Sequence, residues 1–412
     1  MKSLLFLSYC LLIFSEVRTV RYHLAGERSI SISDLFFFVI GISFAVFTLI
    51  KKRGKVSRQH VKIAKYLIFT FSILALFSLF GWGADTYLVN PFFFAPTFAF
   101  FFLSYWLFSY VNQEKTCLYV YSYSILMLIL FIAQYLILID VFNQYSLKNV
   151  FGQEFQIVIS KYLFYGTGTP ALHKPFNSPS QAGLYISIIL FLMVGCAITK
   201  GIRWPLYLLV PPTFLVIAQT GSRSIMALLI VCWVAFVFLI LINKKCSSRQ
   251  INANNLIVCS FLVLAIFRLD PCNNLVRERS LSFLSSSPLA LITGEADSFR
   301  ANAWKNAIED EMFESLPKTE ISTHNVYLDF LKYLGLIPFA FCVLFLFLMM
   351  SIIVSSFFRM KRDPYYPFFV ALLVSTILVF GELYANPVLH LRYIWVLFGL
   401  TTAMIIKCKF KR

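Results

Sequence analysis

One arginine stands between two apolar runs in the segment AQTGSRSIMALL. Arg223 lies in the short polar turn 220–224, which follows the apolar run 206–218 and precedes the run 225–242. A guanidinium group presents a planar fork of hydrogen-bond donors, which suits bidentate contact with phosphate or carboxylate oxygens. An arginine at this position can also anchor a helix end by extending to the membrane interface, and the turn alone leaves both interpretations open.

A second arginine lies in the segment EADSFRANAWKNAIEDEMFE. Asp297 and Ser298 are good helix caps, and apolar residues follow them at helical spacing, namely Ala301, Trp304, Ile308 and Met312. This pattern predicts an amphipathic helix on the membrane surface. Arg300 and Trp304 are one turn apart on it, so the indole can stack on the guanidinium. An ordinary interfacial pair of arginine and tryptophan is the alternative.

A histidine opens the next apolar run, in the segment STHNVYLDFLKYLGL. His324 and Asn325 follow a serine and a threonine that can cap a helix, and Gly335 lies about three turns later on the same helical face. A helix N-terminus disfavours imidazolium, which keeps a histidine neutral near neutral pH and able to accept a proton. The alternative is a histidine that serves only as a polar interfacial cap.

Neither the acidic residues nor the cysteines predict a metal site or a disulfide framework. Glu309, Asp310 and Glu311 are consecutive, so on a helix their carboxylates point in different directions, as on a solvated face. Of the nine cysteines, Cys272 alone lies in a long polar segment. The sequence therefore predicts no metal and no cofactor.

The composition places these residues in a membrane protein. Hydrophobic residues make up 59% of the 412 positions, charged residues only 13%, and the mean hydropathy is +0.77. Because apolar runs recur along the whole chain, we predict one membrane domain over residues 1–412. The net charge of +17 does not indicate nucleic acid, because the basic residues form short patches between the apolar runs.

Twelve apolar runs predict an all-α polytopic protein with about twelve transmembrane helices and both ends in the cytoplasm. The densest basic stretch, 51–65, sets the cytoplasmic side, and every predicted cytoplasmic turn then carries basic residues. This topology places Arg223 on the external side, against the charge bias. The first run could instead be a signal peptide. Several runs are shorter than a span, so flanking residues must extend them. The runs are 4–14, 35–50, 67–80, 92–111, 118–138, 184–198, 206–218, 225–242, 256–267, 334–354, 368–383 and 393–406.

Two long segments are predicted on the external side, and chemistry is expected there because spanning helices offer few polar groups. They cover residues 140–181 and residues 268–324, the larger one between the ninth and tenth predicted spans. Their basic residues can guide an anionic lipid or glycan, or be plain solvated charges: Arg277, Arg279, Lys161 and Lys174. Within the spans Glu382 is the main charged residue, close to the external end of its helix.

The motifs together resemble the superfamily of bacterial O-antigen ligases and of O-antigen or exopolysaccharide polymerases. The turn TGSRS, the helix with Arg300 and Trp304, and His-Asn followed ten residues later by Gly335 carry the resemblance, over about residues 177–346. Two features depart from the family pattern. Pro338 stands where the histidine motif often continues Gly-x-x-Gly, and SLPKTEIS replaces a stretch that is often glycine-rich.

The resemblance implies the membrane fold of C-type glycosyltransferases and transfer of a glycan from undecaprenyl diphosphate to a sugar hydroxyl at the periplasmic face. It assigns the diphosphate to Arg223 and Arg300 and the acceptor hydroxyl to His324. Further substrate contacts are expected from Trp304, Asn325, Arg277 and Arg279. No metal takes part in this scheme.

The two activities of this superfamily, polymerase and ligase, differ in the acceptor of the glycan. A polymerase passes the glycan to the next lipid-linked repeat unit, whereas a ligase passes it to the lipid A core. We favour polymerase, because segment 140–181 is large enough for a second lipid-linked substrate and because Pro338 departs from the ligase-like motif. The expected partners are membrane lipid, a repeat-unit flippase and a chain-length regulator in the bacterial inner membrane. A transporter of polysaccharide or lipid-linked glycan is the alternative from another class.

Overall fold

The computed structural model describes residues 21–23, 29–31, 91–138, 176, 178–243, 253–269, 363–385 and 391–410, together with residue 327 and scattered residues from 340 to 361. The predicted runs 4–14, 35–50 and 67–80 lie outside the described residues. The scattered residues between Ala340 and Phe358 are helical, as expected for the run 334–354.

Eight helices account for most of the described chain, and each contains or overlaps one predicted apolar run. They extend beyond the runs by a few residues, as short apolar cores require. One antiparallel pair of three-residue strands, Arg21–His23 (β1) with Ser29–Ser31 (β2), was not predicted. The helices are Pro91–Tyr110 (α1), Gln113–Leu138 (α2), Pro179–Lys200 (α3), Trp204–Ala218 (α4), Arg223–Ile242 (α5), Ala253–Leu269 (α6), Tyr366–Ala385 (α7) and Arg392–Phe410 (α8).

Four of the described helices are long and apolar enough to cross a membrane, which indicates a membrane-associated protein. The candidate spans are Gln113–Leu136, Pro179–Lys200, Arg223–Ile242 and Tyr366–Tyr384, each with 19 to 24 residues. A helix of 20 residues is about 30 Å long, the thickness of a bilayer's hydrocarbon core. Shorter apolar stretches lie in α1, α4 and α6. The count of twelve spans stays a prediction.

Local signals set the helix ends near the candidate site and shift two predicted boundaries. Ser178 caps α3: its backbone is extended, its side chain accepts a hydrogen bond from the Gln181 amide at 3.3 Å, and Pro179 occupies the first helical position. The predicted loop 140–181 therefore ends at residue 178. The predicted turn 220–224 is also shorter, because α5 already begins at Arg223.

The described chain falls into two compact units. Unit 1 comprises residues 1–110, 288–354 and 383–412, and unit 2 comprises residues 111–287 and 355–382. The prediction of a single membrane domain is not tested by this division. Each unit is described by itself below.

Helix α3 is the centre of unit 2. Every residue from Ala182 to Ile198 is buried, as expected for a helix that is apolar on all sides. Its Phe191 packs against Trp233 and Phe236 of α5, with ring centroids 6.2 and 5.8 Å apart. Trp233 also meets Phe214 of α4 edge to face at 5.3 Å. Aromatic packing thus joins three neighbouring helices.

Contacts near the helix ends give the direction of each helix in unit 2. Ser180 near the start of α3 lies beside Ser222 before α5, and both lie at the end of unit 2 that we call the Arg223 end. The last turn of α7 reaches the same end, where Ser224 donates to Glu382.

The opposite end, which we call the Lys200 end, shows the complementary pattern. Asn243 after α5 donates to the Lys361 carbonyl oxygen at 2.8 Å, and Tyr366 at the start of α7 donates to the Leu239 carbonyl oxygen at 3.3 Å. Back at the Arg223 end, Phe131 in the second half of α2 stacks on Phe176 before α3, so α2 is antiparallel to α3. Helices α2 and α7 therefore run opposite to α3 and α5, as the predicted weave through a membrane requires.

Unit 1 contains a parallel pair of helices, α1 and α8. Gly399 lies against the first of them so closely that a Cβ there would be 2.6 Å from the Phe101 carbonyl oxygen. Arg392 lies over the Phe100 ring at 5.3 Å from its centroid, and Lys407 donates to the Phe108 carbonyl oxygen. The contacts advance together along both helices, so the two run in the same direction. The predicted topology also gives these two runs one direction.

Candidate functional site

Arg223 is the first residue of α5, and its side chain is exposed. The preceding Ser222 is buried and makes no side-chain capping hydrogen bond. The Met226 amide donates to the Ser222 carbonyl oxygen at 3.2 Å, which closes the first turn of the helix. The start of a helix carries the positive end of the helix dipole, which attracts anions. The charge of Arg223 and the dipole of α5 therefore both attract an anion here.

The turn before Arg223 is fixed by local hydrogen bonds. Thr220 is fully buried and its hydroxyl donates to the Ile217 carbonyl oxygen at 2.7 Å. The Ser222 amide donates to the same hydroxyl oxygen at 3.4 Å. Gly221 has φ of +75°, a backbone conformation that side chains with a Cβ rarely adopt. The sequence TGS therefore sets where α5 starts and where Arg223 leaves the backbone.

The start of a second helix lies directly beside this turn. The Ser180 hydroxyl oxygen in the first turn of α3 is 3.3 Å from the Ser222 hydroxyl oxygen. Gly183, one turn later, leaves so little room that a Cβ there would be 3.0 Å from Ile225 Cγ2. Two parallel helices thus bring their positive ends together, an arrangement that favours a bound anion.

A buried carboxylate completes this end of unit 2. Glu382 near the end of α7 is fully buried, and Ser224 in the first turn of α5 donates to its Oε1 at 3.4 Å. The Ser222 and Ser224 hydroxyl oxygens are 3.4 Å apart. We call the four residues Ser180, Ser222, Ser224 and Glu382 the serine–glutamate chain. It connects the first turns of α3 and α5 with the last turn of α7.

The described cations of unit 2 divide unevenly between its ends. Four of them lie at the Lys200 end, namely Lys115 at the start of α2, Lys200, Arg203 and Lys361. Among the lysine and arginine side chains that the structure describes in this unit, only Arg223 lies at the Arg223 end. Its position is therefore an exception to the charge pattern, as the sequence suggested.

The other predicted site residues lie outside the described residues, so their arrangement around Arg223 stays a prediction. They are Arg300, His324, Trp304, Asn325, Arg277 and Arg279. Across the part of the chain that the structure describes, no three histidine, cysteine or acidic side chains converge on a possible metal position. The expectation of no metal and no cofactor likewise stays a prediction.

Sequence reasoning did not identify Ser180 as a neighbour of the arginine turn. A signal was present, because the Ser178-Pro179 pair is typical of a helix start and would have placed Ser180 in a first helical turn. Glu382 was recognised as unusual, but its partner was not, because Ser224 lies 158 residues away along the chain.

Comparisons with protein-family models, with curated proteins and with solved structures found no match to this chain.

Proposed function

We propose that the protein is a membrane glycosyltransferase that polymerises lipid-linked polysaccharide repeat units at the periplasmic face of the bacterial inner membrane. The glycan is transferred from undecaprenyl diphosphate to a sugar hydroxyl of the next repeat unit. The observation that carries the proposal is the anion-binding character of the Arg223 end. An exposed arginine and the starts of α3 and α5 lie together there.

This geometry suits the leaving group of the proposed reaction. The bond between the anomeric carbon and the diphosphate oxygen breaks while the acceptor oxygen forms a new bond to that carbon. Negative charge accumulates on the departing diphosphate, and donors already in position lower the energy of that charge. Arg223 and Arg300 bind the diphosphate in our proposal, and the first amides of α5 add to their field.

The remaining proposed roles follow from the sequence motifs. His324 takes the proton from the acceptor hydroxyl. Trp304, Asn325, Arg277 and Arg279 bind the glycan and its lipid carrier. Membrane lipid surrounds the protein, and a repeat-unit flippase and a chain-length regulator are the proposed partners.

The charge distribution supports a periplasmic position of the Arg223 end. Loops rich in lysine and arginine stay in the cytoplasm, and four of the five lysine and arginine side chains that the structure describes in unit 2 lie at the Lys200 end. We therefore place the Lys200 end in the cytoplasm and the Arg223 end in the periplasm, where lipid-linked repeat units are presented.

Alanine replacement in the native host tests the reaction assignment. We expect Arg223→Ala, Arg300→Ala and His324→Ala each to abolish long-chain glycan on a gel while the protein is still detected in the membrane. Arg203→Ala, at the other end of unit 2, is the matched control and should leave the glycan unchanged. Normal long-chain glycan in the three site variants would refute the assignment.

Ligation to the lipid A core is the second form of the same chemistry, because it uses the same donor and the same leaving group. A deletion strain separates the two. A single repeat unit on the lipid A core indicates polymerase, whereas full-length polymer left on undecaprenyl diphosphate indicates ligase.

A transporter is the candidate from another class, and the buried Glu382 is the observation that favours it, since ionisable residues in membrane helices often mark transport paths. Purified protein in vesicles distinguishes the two. We expect conversion of lipid-linked oligosaccharide to longer product without ATP. Movement of the lipid-linked glycan across the bilayer with no change in its length would indicate transport instead.

A further inference from the structure

We propose that Glu382 is a positioning residue that holds the first turn of α5, and with it Arg223, through the hydroxyl of Ser224. The inference about the helix start is independent of the reaction. Only its consequence for catalysis rests on the function proposed above.

Glu382 occupies an unusual position for an acidic side chain. A carboxylate inside a candidate membrane span is costly to bury, and this one is fully buried in the last turn of α7. It lies beside the start of α5, where the positive end of the helix dipole favours a negative group. The carboxylate is thus well placed for an interaction with that helix start.

The path from Glu382 to Arg223 is short. Glu382 Oε1 accepts from the Ser224 hydroxyl at 3.4 Å, and Ser224 follows Arg223 directly in the first turn of α5. A long hydrogen bond of this kind restrains weakly when alone, but a carboxylate acceptor strengthens it. On the other side of Arg223, the Ser222 hydroxyl is within hydrogen-bond distance of the Ser180 hydroxyl. The residues on both sides of Arg223 are therefore tied to neighbouring helices.

Side-chain packing places this part of α7 beside α5. Gly381, next to Glu382, is so near the Leu228 side chain of α5 that a Cβ there would be 2.6 Å from Leu228 Cδ2. The residue that precedes Glu382 thus packs against α5.

Hydrogen exchange on the purified full-length protein in detergent tests the positioning role without any substrate. We expect Glu382→Ala and Ser224→Ala each to raise amide exchange in residues 222–226 by about fivefold, the effect of one lost hydrogen bond. Glu382→Gln keeps an acceptor oxygen for Ser224 but loses the charge, so it should exchange more slowly than Glu382→Ala. Ser375→Ala, which removes a buried hydroxyl from the same helix, is the matched control and should also match the wild type.

Two results would overturn the proposal. Unchanged exchange in Glu382→Ala would mean that the carboxylate does not hold the helix start. Equal effects of Glu382→Gln and Glu382→Ala would mean that the negative charge, and not the acceptor for Ser224, is what matters.

Turnover measurements then test the consequence for catalysis. If Glu382 acts by placing Arg223, Glu382→Ala should lower kcat about tenfold with a smaller change in KM, and Glu382→Gln should lower kcat less than Glu382→Ala does. Adding Ser224→Ala to Glu382→Ala should bring no further loss, because both remove the same interaction. A wild-type protein without glycan transfer would refute the proposed function, while the exchange data would still decide the role of Glu382.

Discussion

Arg223 and Arg203 are both exposed arginines at the start of a helix, at opposite ends of unit 2. They differ in surroundings. Arg203 precedes α4 at the end where lysines gather, whereas Arg223 stands beside a second helix start and a serine–glutamate chain. Residue type therefore does not separate these two arginines. Their positions relative to neighbouring helices do.

Arginine-to-lysine replacement at these two positions tests whether Arg223 binds the diphosphate, as proposed, while Arg203 does not. Lysine keeps the charge but loses the planar fork that binds two oxygens of a diphosphate. We expect Arg223→Lys to lower glycan transfer by about tenfold to a hundredfold, the loss of one charge-assisted hydrogen bond. Arg203→Lys should leave it unchanged. The measurement is product formed in membrane vesicles per amount of protein, and equal activity of both variants would contradict a bidentate contact at Arg223.

At the scale of the element, α5 has one packed and one open face. Phe236 is fully buried against α3, while Phe238, two residues later, is 59% exposed. Val231 and Val234 share the open face. An apolar surface of this kind is expected where a helix meets lipid, because hydrocarbon chains replace protein as its neighbours.

The two phenylalanines give a matched pair for testing this packing. Phe236→Ala leaves a cavity beside Phe191 and should destabilise the protein on the order of 3 kcal/mol. Phe238→Ala removes a ring that contacts little protein, so we expect a change near zero. Thermal unfolding in detergent measures both, and a larger loss for Phe238→Ala would mean that the open face is covered by protein.

The contact of α7 with α5 makes a second prediction at this scale. Gly381→Ala places a methyl group against Leu228 and should destabilise the protein by about 1–3 kcal/mol through overpacking. Leu228→Ala should recover most of that loss when combined with it, since the methyl group then has room. Thermal unfolding of the three variants is the measurement, and a double variant no better than Gly381→Ala would contradict this contact.

At the scale of the whole molecule, the direction of each helix decides which segments that are distant in sequence lie at the same end of a unit. In unit 2 the starts of α3 and α5 and the last turn of α7 meet at the Arg223 end. The lysines of unit 2 that the structure describes gather at the Lys200 end. In unit 1, α1 and α8 run parallel, as the predicted topology requires. The proposed binding of a lipid-linked anion on one side of the membrane depends on such a separation within unit 2.

Reporter fusions test the side on which each end lies. We expect alkaline phosphatase to be active when fused after Gly221, because it then reaches the periplasm. The same enzyme fused after Lys245, beyond α5, should be inactive because it stays in the cytoplasm. Activity is read in intact cells and normalised to fusion protein. An inactive Gly221 fusion with an active Lys245 fusion would reverse the topology and refute the proposed reaction.

The sequence by itself determined the features that depend on near neighbours and on average composition. Apolar runs with basic flanks predicted the helices and their alternating directions, because burial in a bilayer and the retention of cationic loops act on short segments. The same reasoning singled out Arg223, as an arginine on the wrong side, and Glu382, as a charge inside a span.

Only the tertiary structure decided which of these residues meet. Ser224 bonds to Glu382 across 158 residues, and Ser180 lies beside Ser222 where Gly183 leaves room for the Ile225 side chain. Which face of one helix packs on which neighbour depends on the shapes of many side chains at once, and no local pattern encodes it. The sequence predicted an arginine at a helix end, and packing joined the serines on either side of it to a hydroxyl and a carboxyl group of two other helices.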